Sequence, residues 1–198
     1  MKIGVLGGTF DPPHKGHLSL AQAAVEQLGL DEVIFMPAYR NPMKDRTVAT
    51  RPQDRFAMVE ALVRSADDPH LAFSDLEITR QGPSYTVDTM TELQMARPAD
   101  YWFLLGADSL KGLPEWKQPQ RLIRLCRIGA VLRTPIKAFD VLPKLPEEFR
   151  ASIDLIEMKP VDISSTELRD KLVRGQNVTP WVPTEVLKYI STHRLYQA

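Results

Sequence analysis

Apolar and polar positions alternate along this chain with two different periods. Short runs of β-branched, aromatic and aliphatic residues are typical of buried strands, and they lie at 2–6, 33–36, 101–105, 128–132 and 153–157. The stretches between several of these runs carry apolar residues at spacings of three and four, which is typical of helices with one buried face. Apolar strands that alternate with such helices predict an α/β fold built on a doubly wound parallel sheet.

The helical patterns differ in clarity along the chain. One apolar stripe consists of Leu18, Ala21, Val25 and Leu28. Gly29 follows this stripe as a C-cap would. A second helix is predicted over about 52–65, and the part at 164–198 predicts a small helical appendage of two helices separated by a turn at 180–183. The segment 134–150 is the least patterned, and a loop-rich insertion and a surface helix both stay open for it.

Length, charge and cysteine content narrow the class of protein. The chain has 198 residues, which suits a single domain over 1–198. Its 25 Lys and Arg residues balance 25 Asp and Glu residues, so we do not expect a nucleic-acid polymer as partner. Cys126 lies among apolar residues and predicts a buried, inert thiol. Because no apolar run approaches the roughly 20 residues of a membrane span, and the N-terminal run is too short for a signal peptide, we expect no membrane partner and a cytoplasmic location.

The stretch GGTFDPPHKGH follows the first predicted strand and leads into the first predicted helix. Gly7 and Gly8 predict a tight turn with close approach to the backbone. The N–H groups at a helix start attract anions. The glycine spacing is neither that of GxGxxG nor that of GxxxxGK[ST], which indicates a phosphate site of a different kind.

Two histidines in this stretch are candidate phosphate ligands. His14 and His17 are three residues apart and share one face if the helix has begun there. Both rings could donate to the same phosphate chain. Two alternatives stay open: a metal site, for which only His70 and His193 remain as further histidines, and a capped turn with solvated histidines.

The later stretch ISSTELR is a second candidate anion site. Ser164 and Glu167 fit the capping box S-x-x-E, which predicts a well-capped helix start. Ser165 and Thr166 add two hydroxyl groups, and Arg169 follows four residues after Ser165 on the same face. Capping and phosphate binding both stay open from the spacing alone.

Together these motifs carry a family resemblance. GTFDPPHKGH and ISSTELR resemble the HxGH and ISSTxxR signatures of a nucleotidyltransferase superfamily with a Rossmann-like fold. SYTVDT at 84–89, GADSLKGLPEW at 106–116 and the tail at 182–196 are similar to the bacterial nicotinate mononucleotide adenylyltransferases. Members of that family join ATP and nicotinate mononucleotide into deamido-NAD and pyrophosphate. The resemblance runs nearly end to end and is weakest from about 134 to 152.

The resemblance implies a reaction that needs donors and cations and no general base. The phosphate of the mononucleotide attacks the α-phosphorus of ATP, and at pH 7 most of this phosphate is already the dianion, because its second pKa is about 6. Catalysis then rests on positioning and charge stabilisation. Magnesium would be held mostly by substrate phosphates, with no dedicated metal site on the protein, and Asp11 or Asp108 would at most contact it through water.

The same resemblance implies the site residues. It gives catalytic roles to His14, His17, Lys44 and Arg169. It gives ATP binding to Gly7, Gly8, Thr9, Phe10, His14, His17, Gly106, Asp108, Arg133, Ile163, Ser164, Ser165, Thr166 and Arg169. It gives binding of nicotinate mononucleotide to Lys44, Ser84, Tyr85, Thr86, Asp108 and Trp116. In the family the tryptophan stacks on the pyridine ring, while the threonine and nearby backbone N–H groups hold the carboxylate.

One local departure and several alternatives accompany the resemblance. NPMK at 41–44 stands where relatives often have PPHK, so no histidine role transfers there, although Lys44 is retained. Transfer to nicotinamide mononucleotide or phosphopantetheine is an alternative, as is a nucleotide-binding regulator without turnover. His14 argues against phosphopantetheine as acceptor, because the enzymes that act on it usually have threonine at this position. ISST argues against a cytidylyltransferase, because the late motif of those enzymes generally reads RTEGIS. A homo-oligomer stays open.

Overall fold

A computed structural model describes residues 1–43, 48–132, 142–159, 161 and 163–197. Within these residues the strands form one parallel six-stranded sheet. In chain order they are β1 (Lys2–Gly8), β2 (Glu32–Pro37), β3 (Leu71–Phe73), β4 (Asp100–Gly106), β5 (Arg127–Leu132) and β6 (Ile153–Glu157). Their order across the sheet is β3-β2-β1-β4-β5-β6. The five predicted strands are confirmed, whereas the three-residue β3 is too short to show a period and was missed.

Helices connect and cover the strands. In the described parts of the chain they are α1 (Lys15–Leu28), α2 (Pro52–Ala66), α3 (Leu76–Arg80), α4 (Thr86–Ala96), α5 (Pro119–Leu125), α6 (Glu147–Arg150), α7 (Ser165–Val173) and α8 (Thr184–Thr192), with 3-10 helices at Ala107–Glu115 and Leu142–Lys144. Gly29 ends α1 in the left-handed region, with φ 61°, as the sequence predicts. Within the described residues, no helix is long and apolar enough to cross a membrane.

The core lies in two layers, one on each face of the sheet. Successive strand residues alternate between them: Phe35 packs with α1 and α2 residues in one layer, and Met36 packs with α4 residues in the other. Both side chains are fully buried. This alternation, with helices on both faces, confirms the predicted doubly wound α/β fold. Cys126 is buried in the second layer, and burial raises the pKa of its thiol to about 12, as expected for an inert cysteine.

The C-terminal helices share the first of these layers. Leu168 of α7 and Val186 of α8 are fully buried there, and α8 packs along α2. This packing supports a single domain over 1–198, which stays a prediction. Part of the least-patterned segment is helical, since it contains α6, and Phe149 of this helix is buried in the second layer. Residues 133–141 lie outside the described residues.

The strand β1 runs further than the sequence suggested. The expected turn at Gly7 and Gly8 is wrong, because both residues continue β1 and align with Met36 and Pro37 of β2. The missing side chains make room for aromatic rings instead. A Cβ on Gly7 would lie 2.6 Å from the ring of Phe103.

The topology places a crevice at the middle of the sheet. β1 and β4 are neighbours, and the chain order runs outward from them in both directions. At such a switch point the loops after the two strands diverge, and α/β proteins bind ligands there. Gly8 ends β1 and Gly106 ends β4, so both lie at this crevice.

Candidate active site

The two histidines form a reciprocal cap at the start of α1. Nδ1 of His14 accepts from the backbone N–H of Gly16 at 3.2 Å, and Nδ1 of His17 accepts from the backbone N–H of His14 at 3.1 Å. Their ring centroids are 3.9 Å apart. Because a backbone N–H can only donate, this geometry assigns the ring proton of each neutral histidine to Nε2. The cap of the alternative interpretation is thus present, but the expectation of solvated histidines is wrong for His14, which is buried. The cap also determines which nitrogen of each ring can donate.

A buried arginine, which the sequence analysis missed, hydrogen-bonds to the backbone of the loop before these histidines. Arg55 of α2 is 1% exposed, and it donates to the carbonyls of Thr9 at 2.8 Å and Tyr39 at 2.9 Å. Burial lowers the pKa of its guanidinium, and the nearby Asp11 carboxylate opposes that shift. The sequence does contain a sign that Arg55 is buried, because it lies four residues before Val59 and therefore on the apolar face of its helix.

Asp11 connects the same loop to distant parts of the chain. Its carboxylate, which is buried, accepts from the backbone N–H of Ala49 at 2.9 Å and from the hydroxyl of Thr50 at 2.8 Å. The phenol of Tyr196 donates to it at 2.6 Å. Burial, together with this carboxylate, raises the pKa of Tyr196 above its ordinary value. Asp11 therefore has a structural role in the described chain.

The start of α7 contains the predicted capping box. The hydroxyl of Ser164 accepts from the backbone N–H of Glu167 at 3.2 Å, and the Glu167 carboxylate accepts from the backbone N–H of Ser164 at 2.8 Å. The hydrogen bonds from Ser164 lower the pKa of Glu167. Ile163, just before the cap, is buried in the first core layer.

The other polar residues of this motif already make hydrogen bonds within the protein. Ser165 donates to the carbonyl of Pro12 at 2.9 Å. Arg169 donates to the carbonyl of Asp11 at 2.7 Å and to the hydroxyl of Thr166 at 3.2 Å. The two signature motifs are thus brought together, and the second supports the backbone of the first.

A cavity of about 590 Å³ opens beside these elements. Of the predicted site residues, it is lined by Gly7, Gly8, Ser84, Tyr85, Thr86 and Trp116. The indole of Trp116 lies edge-on to Phe103, with ring centroids 6.0 Å apart. The ring of Phe10 packs close to Gly8, which lines the cavity, and it contacts His17 with ring centroids 4.9 Å apart. Gly8 and Phe10 therefore connect the cavity lining to the histidines.

The N-terminus of α4 forms part of this cavity wall. Tyr85 is its N-cap and makes no side-chain capping hydrogen bond, and Thr86 and Val87 of the first turn line the cavity. A helix start without a side-chain cap is suited to bind an anionic group. Lys117, which the sequence analysis missed, also lines the cavity, lies 4.4 Å above the Tyr85 ring and pairs with Asp88 at 2.8 Å.

A buried polar network supports this wall. Glu77 is 6% exposed and lines the cavity, and burial raises the pKa of its carboxyl. Thr89 donates to it at 2.5 Å and accepts from Arg80 at 2.9 Å. The hydroxyl of Ser84 accepts from the backbone N–H of Tyr39 at 3.0 Å, and its proximity opposes the rise in the pKa of Glu77. The network joins the loop after β2 to the start of α4.

Comparison with known proteins identifies the family. A family model described as cytidylyltransferase-like matches residues 5–171, which include both signature motifs. A relative from Dehalococcoides mccartyi, named probable nicotinate-nucleotide adenylyltransferase, is 41% identical over 99% of this chain and 97% of its own length. The chain belongs to the cytidylyltransferase-like family and, within it, to the nicotinate-nucleotide adenylyltransferases. The resemblance seen in the motifs is thereby confirmed, and the chain is a nucleotidyltransferase.

Further relatives agree with this family. A protein of the same name from Synechococcus sp. (strain JA-3-3Ab) is 41% identical over 98% of this chain and 94% of its own length. Among solved structures, nicotinic acid mononucleotide adenylyltransferase from Plasmodium falciparum, complexed with NaAD, has a TM-score of 0.81 at 20% identity and covers 98% of this chain and 97% of that one. At that identity the structural likeness shows a shared fold.

Some family positions fall outside what the structure describes. Lys44 and Arg133, which the resemblance placed in the site, lie outside the described residues. Asp108 belongs to the 3-10 helix Ala107–Glu115, next to Ser109, which lines the cavity. The roles of these three residues stay predictions.

The described part of the chain contains no group of three or more His, Cys, Asp or Glu residues that could hold a metal ion. His70 and His193, the remaining histidines, hydrogen-bond to Asp68 and to the Tyr189 carbonyl. The histidine pair is therefore not joined by a third described ligand, and the alternative of a protein-built metal site gains no support.

Proposed function

We propose that this protein transfers the adenylyl group of ATP to nicotinate mononucleotide, forming deamido-NAD and pyrophosphate in NAD biosynthesis. One observation carries the proposal: the cavity that contains Trp116 and the start of α4 adjoins, at Gly8, the loop at 8–17 that contains the two histidines, called the histidine loop below. Such an arrangement suits two nucleotides that meet through their phosphates. The relatives' name and the NaAD bound to the Plasmodium falciparum protein of the same fold support the same reaction.

The cavity suits the nicotinate end of the acceptor. Its volume of about 590 Å³ lies within the usual range for small-molecule sites. Trp116 supplies a flat aromatic face for the pyridine ring. Thr86 and the uncapped N-terminus of α4 supply donors for the carboxylate, and Lys117 adds positive charge at the same wall.

The histidine loop suits the triphosphate of ATP. In the assigned tautomer both His14 and His17 carry a proton on Nε2, so each ring can donate one hydrogen bond to a phosphate oxygen. The N-terminus of α1 adds a partial positive charge. Arg169 and Ser165 hold the loop backbone, and we propose that Arg169 also faces the phosphates when ATP is bound.

The reaction then needs no proton acceptor on the enzyme. An oxygen of the mononucleotide phosphate forms a bond to the α-phosphorus, and the bond from that phosphorus to the pyrophosphate oxygen breaks. The attacking phosphate is mostly a dianion at pH 7. The protein's task is to align the two phosphates and to stabilise charge on the leaving pyrophosphate, which donors at the start of α1 can do.

Magnesium would offset the remaining negative charge. We propose that the phosphates of the substrates provide most of its ligands. The donor set fits this view, since both oxygens of Asp11 already accept hydrogen bonds from the protein. Asp108 would contact the nucleotides and could reach the metal only through water. We propose that Lys44 binds the mononucleotide phosphate and stabilises charge in the transition state, and that Arg133 contacts ATP. A cytoplasmic location, the lack of a nucleic-acid or membrane partner and the oligomeric state stay proposals.

The test is pyrophosphate release from ATP and Mg²⁺ with nicotinate mononucleotide, nicotinamide mononucleotide or phosphopantetheine at equal concentration. Strong release with the first acceptor alone is the expected result. Comparable release with the amide would replace the proposal by a dual-specificity enzyme. Release with phosphopantetheine alone would overturn the proposal, and so would a lack of release with all three acceptors.

A further inference from the structure

We infer that Tyr196, near the C-terminal end of the chain, is a positioning residue for the histidine loop at 8–17. It acts through Asp11, which lies three residues before His14 in that loop. The inference rests on the proposed function in one respect, because it takes the loop at 8–17 as the part that handles ATP.

The contact between these two residues joins the ends of the chain. The phenol of Tyr196 donates to Oδ1 of Asp11 at 2.6 Å, across a sequence separation of 185 residues. The Asp11 side chain is nine-tenths or more buried, with the whole residue 3% exposed. A short hydrogen bond to a buried carboxylate is among the stronger kinds of hydrogen bond in proteins.

The chain reverses direction after α8 and thereby places the Tyr196 side chain next to the loop. Tyr196 has φ 56°, a region that residues with side chains rarely adopt. The backbone N–H of Leu195 donates to the carbonyl of Ile190 at 3.0 Å, so the chain reverses directly after the helix. Tyr196 then packs against the first core layer and reaches the loop rather than solvent.

The Asp11 carboxylate gathers donors from separate segments around one point of the loop. Thr50 donates to the same oxygen as Tyr196, at 2.8 Å, and the backbone N–H of Ala49 donates to the other oxygen at 2.9 Å. The guanidinium of Arg169 lies 3.9 Å from that second oxygen and donates to the Asp11 carbonyl. Loss of one donor allows the Asp11 carboxylate to shift toward its remaining partners. The backbone from Asp11 to His14 is continuous, so this shift also displaces His14.

The expected effect is on catalysis more than on acceptor binding. Misplacement of catalytic donors by a fraction of an ångström to 1 Å lowers turnover strongly, whereas Trp116 and the start of α4 are held by other contacts. We therefore expect loss of the Tyr196 hydroxyl to reduce kcat/KM for ATP by about tenfold or more. The KM for nicotinate mononucleotide should change by less than about threefold.

The chain offers a closely matched control. Tyr189 of α8 also donates from its phenol to a buried carboxylate, that of Asp54, at 3.0 Å. Asp54 is 3% exposed, as is Asp11. Tyr189→Phe and Tyr196→Phe thus remove the same group from the same region of the chain, and only the second hydroxyl touches the loop.

The experiment measures kcat and both KM values from pyrophosphate release, together with Tm, for the wild type, Tyr196→Phe and Tyr189→Phe. The kcat and both KM values of Tyr189→Phe should stay within about twofold of those of the wild type. Both variants should have a lower Tm than the wild type. Equal losses of activity in the two variants, or a loss below about twofold in Tyr196→Phe, would overturn the inference.

Two additions keep the inference separate from folding defects and from the proposed function. Thr50→Val removes the other donor to the same oxygen, so it should act in the same direction, and its effect should be less than additive with that of Tyr196→Phe. Additive effects would contradict the inference.

The Kd for a non-hydrolysable ATP analogue should rise in Tyr196→Phe but not in Tyr189→Phe, and this readout needs no acceptor. A wild type that binds the analogue without using nicotinate mononucleotide would refute the proposed function, while the two Kd values would still decide the role of Tyr196.

Discussion

The hydroxyl of Ser165 donates to the backbone carbonyl of Pro12 at 2.9 Å, across 153 residues of sequence. This hydrogen bond joins the late signature motif to the early one. Arg169 adds a second link, to the carbonyl of Asp11. The start of α7 therefore acts as a support for the loop that leads into the histidines, in addition to any contact that it makes with ATP.

Replacement of Ser165 by alanine tests this support. We expect Ser165→Ala to reduce kcat by about three- to tenfold, because it removes one hydrogen bond of about 1 kcal/mol from the loop backbone. Steady-state pyrophosphate release measures the change. Ser65→Ala is the control, since Ser65 also donates to a backbone carbonyl, that of Leu62, at 2.7 Å and does not contact the loop. Similar losses in the two variants would argue against the support.

Substitutions of His17 separate its capping role from its donor role. Asparagine can place an acceptor near the position of Nδ1 and so preserve the cap, but it lacks the Nε2 proton. We expect His17→Asn to keep a Tm close to that of the wild type and to lose about 100- to 1000-fold in turnover, the usual effect of losing one transition-state donor. His17→Ala should lose as much turnover and some stability as well. A loss below about fivefold in both variants would remove His17 from the catalytic residues.

Trp116 should matter more for the acceptor than for ATP. Loss of ring stacking costs about 1 to 3 kcal/mol, so we expect Trp116→Ala to raise the KM for nicotinate mononucleotide by about tenfold or more and that for ATP by less than about threefold. Trp181→Ala provides the comparison, because this partly buried tryptophan packs on the first core layer and does not line the cavity. Its backbone carbonyl, which accepts from the N–H of Lys15 at 2.8 Å, is retained in the variant. An equal rise of both KM values in Trp116→Ala would make Trp116 a core residue only.

Asp154 should make stability depend on acidic pH without affecting the site. Its carboxylate accepts from Arg127 at 2.6 and 2.8 Å and from the indole of Trp102 at 2.7 Å, and the hydrogen bond from Arg127 is the main cause that lowers its pKa. A lowered folded-state pKa stabilises the fold above the unfolded value of about 3.9, and this contribution is lost as the pH falls through the folded value.

Asp154→Asn should therefore lower Tm at pH 7 by about 2 to 4 °C, which corresponds to about 1 kcal/mol for a partly exposed pair. The difference from the wild type should shrink below about pH 4. Thermal unfolding of both proteins at pH 7 and pH 3 measures it, and kcat at pH 7 should be unchanged. A difference in Tm that is the same at both pH values would show that the carboxylate charge does not contribute.

Much of the fold was predictable because its signals are local. The apolar strands, the stripe that ends at Gly29 and the cap formed by Ser164 and Glu167 each depend on residues within a few positions of one another. The pairing of His14 with His17 belongs to the same class, since a spacing of three brings the two rings together as soon as the helix begins. Helical period, strand alternation and capping are properties of short segments, and a sequence displays them directly.

The tertiary structure decided which of these residues support one another. Arg55 reaches the Thr9 carbonyl, Ser165 reaches Pro12, and Tyr196 reaches Asp11 across nearly the whole chain. The continuation of β1 through Gly7 and Gly8 also depended on β2 and on the aromatic rings that pack there. No local period marks such contacts, because they exist only once the sheet order and the packing of α2, α7 and α8 have brought distant segments to one edge of the sheet. The sequence by itself thus determined the elements and the chemical groups, and the packing of the whole chain determined how those groups are held.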